Sequence, residues 1–290
     1  MPDSLAAPEA IERSLGHEPG RLELGFEVGG DGATRLQRQF ASYPFHLCRP
    51  FQFAGDPPEM ATLYVQSCSG GIYEGDRLSI RIEAPARAQL HVTTQAATIV
   101  RSMRSAGARQ ESVLTAGAGS LVEHLPDPLI LFPRSRLETS LRISADREAR
   151  VLSGEAFLLH DPLGLGRPFT HLVSLLEIEE RASGRMLFRD RLSGQGADWT
   201  ARIPGVTEDA TGTATLVILD PDAPSLVGGL RAALDAVPGL WGGASLLPRG
   251  MGALCRFLAW DGRALRAGFD ALWRATRLHW TGAEPRPRRK

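Results

Sequence analysis

Three carboxylates, Asp76, Glu123 and Asp127, fall near turn signals, and the chain carries seven histidines, His17, His46, His91, His124, His160, His171 and His279. Two carboxylates facing each other across a β-helical groove would suit glycoside hydrolysis, one as acid and the other as base or nucleophile. Turn carboxylates are far more often simply solvated, and sequence alone does not give the separation that decides the matter. The histidines offer imidazole to a metal, yet no two stand four apart on a helix and no H-E-x-x-H occurs. The adjacent pairs Glu123-His124 and His160-Asp161 would point to opposite faces of a strand. A closed metal site is therefore not indicated, whereas a route lined by oxygen atoms and water needs no dense ligand cluster. No G-x-S-x-G elbow is present.

Gly70, Gly71, Gly75 and Asp76 raise the thought of a phosphate loop, which needs a ring of backbone N–H groups with a helix N-terminus or a lysine. The segment after them is instead an alternating strand, and no G-x-x-x-x-G-K-[ST] occurs. In that strand Leu78, Ile80 and Ile82 point one way and Arg77, Ser79, Arg81 and Glu83 the other. The glycines read as a tight corner that needs φ > 0. Leu163-Gly-Leu-Gly166 looks like half a dinucleotide fingerprint but lacks the strand before it and the helix after it. His91, Thr93 and Gln95 alternate with Leu90, Val92 and Thr94, the pattern of a half-buried strand.

These residues need a framework, and the turn signals supply its rhythm. Residues 1–20 read as a loose arm. From 21 to about 220 the chain reads as short strands at 22–28, 34–41, 45–53, 61–66, 77–84, 89–101, 109–115, 120–124, 136–143, 148–159, 170–179, 185–192 and 211–219. Gly29-Gly-Asp-Gly32, Asp56-Pro-Pro58, Gly117-Ala-Gly119, Asp161-Pro162 and Ser183-Gly184 punctuate them. That spacing predicts a mainly β body: a sandwich, a barrel or a stacked β-helical layer. No repeat of fixed period is visible, so pattern alone does not support a regular solenoid. Residues 221–290 form a small α/β layer with two helices. The first places Leu226, Val227, Leu230, Leu234 and Val237 on one face and ends at Pro238-Gly239. The second is capped by Asp261 and turns Leu265, Phe269, Leu272, Trp273 and Thr276 inward. Two apolar pieces, 244–247 and 253–259, lie between them. The basic run Arg286-Pro-Arg-Arg-Lys290 reads as a frayed end.

Equal numbers of basic and acidic residues, 33 each, give a formal net charge of zero, which lends no support to bulk binding of nucleic acid or anionic membrane. Cys48, Cys68 and Cys255 are few and widely spaced, against a disulfide framework or a zinc ribbon. No stretch has the apolar length of a transmembrane helix, and the first twenty residues lack the apolar run of a signal peptide. The default setting is reducing and cytoplasmic.

In order and spacing, Leu24-Gly25-Phe26, Pro44-Phe45, Arg49-Pro50, Gly70-Gly71, Gly75-Asp76, Val92-Thr93-Thr94-Gln95-Ala96-Ala97-Thr98 and Leu125-Pro126-Asp-Pro-Leu-Ile-Leu-Phe132 resemble the urease accessory protein family UreD/UreH. Gly166-Arg167 is similar to that family's Gly-Arg dipeptide. The text departs from the family at Ile99, where lysine is frequent, after Arg167, and in a tail without the usual tryptophan. The resemblance implies a two-layered β-helical scaffold with C-terminal helices and no covalent chemistry of its own. It implies a complex with the helical protein UreF and the GTPase UreG on apo-urease, and a water-filled passage for nickel. No tightly bound cofactor is expected, only transient nickel. Thr93, Gln95, Glu123 and Asp127, from the two best-matching segments, are the candidate passage residues. A β-helical hydrolase with paired carboxylates, and a divergent paralogue scaffolding another assembly, are the alternatives.

Overall fold

The computed structural model describes residues 18–53 and 55–288, so most of the arm expected at 1–20 and the last two residues of the basic tail lie outside it. Two sheets face each other. The first contains β1 (Gly20–Val28), β2 (Thr34–Ala41), β5 (Arg77–Ala84), β8 (Ala108–Ala116), β11 (Arg136–Ala145), β13 (His171–Glu180) and β14 (Arg185–Gln195). The second contains β3 (Phe45–Leu47), β4 (Met60–Ser67), β6 (Gln89–Thr94), β9 (Leu121–Leu125), β12 (Arg150–Leu159), β15 (Gly212–Leu219), β17 (Gly252–Ala259) and β16 (Leu240–Leu246). Two short strands, β7 (Thr98–Val100) and β10 (Leu129–Leu131), extend the latter.

From β4 to β13 the chain alternates between the sheets, and equivalent strands pair in parallel: β5, β8, β11 and β13 on one side, β4, β6, β9 and β12 on the other. The result is a two-layered β-helix. A sequence without a textual repeat builds it because the repeat is one of pattern. Leu24, Ile82, Leu114, Ile143 and Ile178 stand in register as one ladder, each almost fully buried. Such parallel strands, covered by neighbours on both edges, are held by the apolar side chains they stack rather than by local turn chemistry.

The connections differ on the two edges. Residues 85–88, 117–120 and 146–149 are short turns closed by one repeated bond, Ala88 N to the Pro85 carbonyl, Ser120 N to Gly117 and Ala149 N to Asp146. On the opposite edge the connections 68–76, 95–107, 126–135 and 160–170 are long, two of them carrying β7 and β10.

The inner faces meet in a core that includes Leu22, Leu24, Leu63, Leu90, Val92, Leu114, Val151 and Val217. The outer face of the second sheet is covered by α2 (Ala223–Asp235) and α3 (Gly262–Thr281), with a five-residue helix α1 (Gly196–Thr200) after β14. Leu226, Val227, Leu230 and Leu234 of α2 are buried as their spacing predicts, and the Asp261 side chain caps α3 by accepting from Ala264 N at 2.7 Å. Among the described residues no helix is long and apolar enough to cross a membrane.

Three expectations change. The strand expected at 45–53 stops at Leu47, leaving a single bridge from Phe51 to Thr62. The strand expected over 89–101 is broken at 95–97, where Gln95 N bonds to the Val65 carbonyl before the chain resumes as β7. The basic tail is not frayed at Arg288, which is 8% exposed and lies over the Trp273 ring.

Candidate functional site

The β9 pair Glu123-His124 sorts the site into two compartments, because adjacent strand residues face opposite ways. His124 faces the space between the sheets, Glu123 the helical layer. Val92, His124, Ser153 and Val217 form one transverse row, and Thr62, His91, Glu123, Leu152 and Ile218 the next.

Between the sheets lies a cavity of about 320 Å³ that runs to the long-connection edge. Gly70, Gly71, Gln95, Ala96 and Ala97 stand at its rim, and Ser112, His124 and Glu155 line it more deeply. His124 Nδ1 lies 3.0 Å from the Ser153 hydroxyl. Burial pushes its imidazole down to about 4, so it is neutral at pH 7. The Glu155 carboxylate accepts from Ser174 Oγ at 2.7 Å and Thr139 Oγ1 at 3.4 Å. Burial raises its pKa against the opposing effect of those two hydroxyls. A neutral imidazole and a carboxylate are both competent donors to a divalent cation of borderline softness. Among the described residues no three His, Cys, Asp or Glu side chains gather into a closed metal cage.

The other compartment is filled. Glu123 is fully buried and accepts from Arg277 Nε at 2.6 Å, Arg277 Nη2 at 2.5 Å, Trp273 Nε1 at 2.8 Å and His91 Nδ1 at 2.7 Å. Burial alone would push the carboxyl up, but the hydrogen bonds from Arg277 and His91 and the charge of Arg277 outweigh it and hold it at about 2. Burial pushes His91 down, so the ring is neutral and Nδ1–H donates to the carboxylate. The His91 ring stacks on Trp273 at 5.1 Å, and Arg277 also pairs with Asp56 at 2.9 Å.

Thr94, Gln95, Pro126 and Asp127 border the cavity, with Thr94 Oγ1 donating to Asp127 Oδ2 at 3.0 Å. Thr93 borders it too, but its hydroxyl is turned to the helical side, donating to the Leu125 carbonyl at 2.7 Å and accepting from Arg288. Glu123 does not border it, and Glu123 and Asp127 do not face each other across an open groove. Gly75 and Asp76 close the corner after the rim, where Asp76 Oδ2 accepts from Tyr73 N at 2.7 Å. Gly71 and Gly75 have φ of +138° and +82°, as that corner requires, whereas Gly70 is not in the left-handed region. Gly166 and Arg167 belong to a loop folded on Asp161.

Glu155 and Arg277 are candidate site residues that the sequence expectations do not include. Each had a signal. Glu155 interrupts the alternating inward set Val151, Ser153 and Phe157, and Arg277 continues the inward stripe of Phe269 and Trp273 on α3.

Fold and site together define a class of β-helical scaffold: two sheets enclosing a largely apolar cavity that holds a few polar side chains, with two helices buttressing the outer face of one of them. Similarity to known proteins narrows the class. The model of the UreD urease accessory protein family matches residues 18–290. The chain is 41% identical to Urease accessory protein UreD 1 of Methylorubrum extorquens (strain PA1), over 100% of this chain and 98% of that one. It is 39% identical to Urease accessory protein UreD 1 of Pseudomonas syringae pv. tomato (strain ATCC BAA-871 / DC3000), over 92% and 94%, and 33% identical to Urease accessory protein UreD 3 of Bradyrhizobium sp. (strain ORS 278), over 89% and 91%. The chain belongs to the UreD urease accessory protein family, and its role is in urease maturation.

Proposed function

We propose that this chain is a non-catalytic scaffold of the cytoplasm through which nickel reaches apo-urease, working in a complex with UreF and the GTPase UreG. The observation that carries the reading is the cavity between the sheets, mostly apolar in its lining but carrying Ser112, His124 and Glu155, with its opening at the edge where Gly70, Gly71, Gln95 and Asp127 lie. Nickel is the cargo. His124 and Glu155 would take it in turn, and Gln95, Thr94 and Asp127 would hand it across the rim through oxygen atoms and water. Donors spread along a cavity hold an ion weakly enough to release it, which transit requires. Glu123 serves differently, fixing the sheet behind His124 to the helical layer.

Two substitutions test the route. Glu155→Gln removes the charge that meets the ion, and Ser112→Phe fills space in a cavity large enough to take a ring without overpacking. Both variants should assemble with UreF, UreG and urease and fail to activate it. Full activation by both would overturn the passage, and tight stoichiometric binding of nickel to the isolated chain would overturn transit.

A further inference from the structure

The long-connection edge carries the two most exposed large apolar side chains among the described residues. Leu163 and Leu165 are each 67% exposed, and Tyr73 is 46% exposed. The leucines are not on a slack loop. Asp161 accepts from the backbone N–H groups of Leu163, Leu165 and Arg167 at 3.2, 2.9 and 3.0 Å, and from the Arg167 guanidinium at 2.9 Å. Two large apolar side chains are thus held out in water with their backbone already ordered, so little conformational entropy remains to be lost when they are covered.

The carboxylates of this edge are consumed in folding its loops. Asp161 is held by its own loop, and Glu74 accepts from Arg104 N, Ser105 N and Ala106 N at 2.8–2.9 Å. Arg104 and Arg134 are exposed at the same edge and have no carboxylate partner among the described residues. Arg101 lies between them and the rim, donating to the Gly70 carbonyl and resting over the Tyr73 and Phe132 rings. Phe132 in turn meets His160, the residue that opens the leucine loop. The leucines, the arginines and the cavity rim therefore form one continuous surface.

We propose that this edge is the face by which the chain docks on a partner protein, one that presents an apolar pocket for Leu163 and Leu165 flanked by carboxylates for Arg104 and Arg134. Leucines give nothing to a phosphate backbone, so the pairing of the two features selects a protein over a nucleic acid. The proposal rests on the scaffold reading above and adds the surface and its chemistry: docking here would seal the cavity rim against the partner. Charge complementarity would steer the encounter, so association slows as salt is raised.

The test uses the full chain with purified UreF and purified apo-urease, each measured separately. Leu163→Asp with Leu165→Asp, and Arg104→Glu with Arg134→Glu, should each weaken binding to the same one of the two by roughly 30-fold or more, with unchanged melting temperature. Arg87→Glu, on the short-turn edge, should leave binding as it was. Wild-type affinity in both double variants, or an equal loss in Arg87→Glu, overturns the docking face while leaving the scaffold reading intact. A wild-type chain that binds neither protein overturns the scaffold reading and takes this surface's occupant with it. Binding of the wild-type chain to RNA that the arginine variant abolishes and the leucine variant preserves also overturns the proposal.

Discussion

The guanidinium of Arg277 and the carboxylate of Glu123 meet in two parallel hydrogen bonds, at 2.6 and 2.5 Å, with both side chains at or below 2% exposure. The pair joins the outer face of β9 to α3. Its geometry is the fork against fork that makes a buried arginine–carboxylate contact worth its desolvation.

Arg277→Met should destabilise the protein by roughly 3–5 kcal/mol, because it strands the Glu123 charge in the interior. Arg288→Met should behave differently although the side chain is nearly as buried. Arg288 is held by a neutral hydroxyl and a neutral carbonyl, lies 3.5 Å from Asp270, and leaves Nε without a partner among the described residues. Burial presses its pKa down, and Asp270 and Asp127 offset only part of that. A methionine keeps the packing on Trp273 and removes the cost of burying the charge, so the change should be within about 1 kcal/mol of neutral. Urea midpoints of the two variants check the contrast. Equal losses would mean that the two arginines are equivalent.

Acid should unfold the protein in two stages. His124 is neutral in the native state down to about pH 4, while the unfolded imidazole takes its proton near 6.5, so its contribution is intact above 6.5 and is lost as the pH falls from there toward 4. His91 acts in the same direction. Glu123, held at about 2 against an ordinary 4.5, contributes stability that is present above 4.5 and lost as the pH falls toward 2. Glu155 has the opposite sign: its raised pKa makes the native state less stable as the pH climbs through and above the ordinary carboxyl range. Glu155→Gln should therefore melt higher than the wild type at pH 7.5, with the gap closing toward pH 4. A gap that widens in acid would contradict the assignment.

The glycine corner offers a graded test. At Gly71, with φ +138°, an added Cβ would run into the Ile99 carbonyl oxygen, whereas at Gly75, with φ +82°, it would meet nothing within 4 Å among the described residues. Gly75→Ala should cost about 1–2 kcal/mol of backbone strain alone. Gly71→Ala should cost clearly more, because β7 must move to admit the methyl group. Thermal melts that rank the two alike would show that the corner relaxes freely.

Strand positions and the two principal helices were legible because they rest on local alternation and periodicity. β5 shows why: Leu78 and Ile82 are buried, and Arg77, Arg81 and Glu83 are exposed, as their spacing requires. The β-helical winding was not legible from pattern, since Leu24, Ile82 and Leu114 become neighbours only through parallel pairing between segments distant in the chain. The three residues of β10 lie in a four-residue apolar run between Pro128 and Pro133, too short to alternate, and pair with β7 and β12. The corner and the Thr93–Asp127 region were readable as text through family resemblance. The side that each residue takes is not readable in the same way: sequence groups Glu123 with Gln95 and Asp127, whereas in the fold Glu123 faces the helices.

The lock between Glu123 and Arg277 spans 154 positions of sequence. A chain emerging from the ribosome therefore completes its coils long before it can finish their outer wall. Until α3 is made, Glu123, His91 and the apolar row around them stand on a bare sheet face, competent to stack on any similar surface. Synthesis interrupted before Arg277 would leave not a smaller working protein but a sticky one.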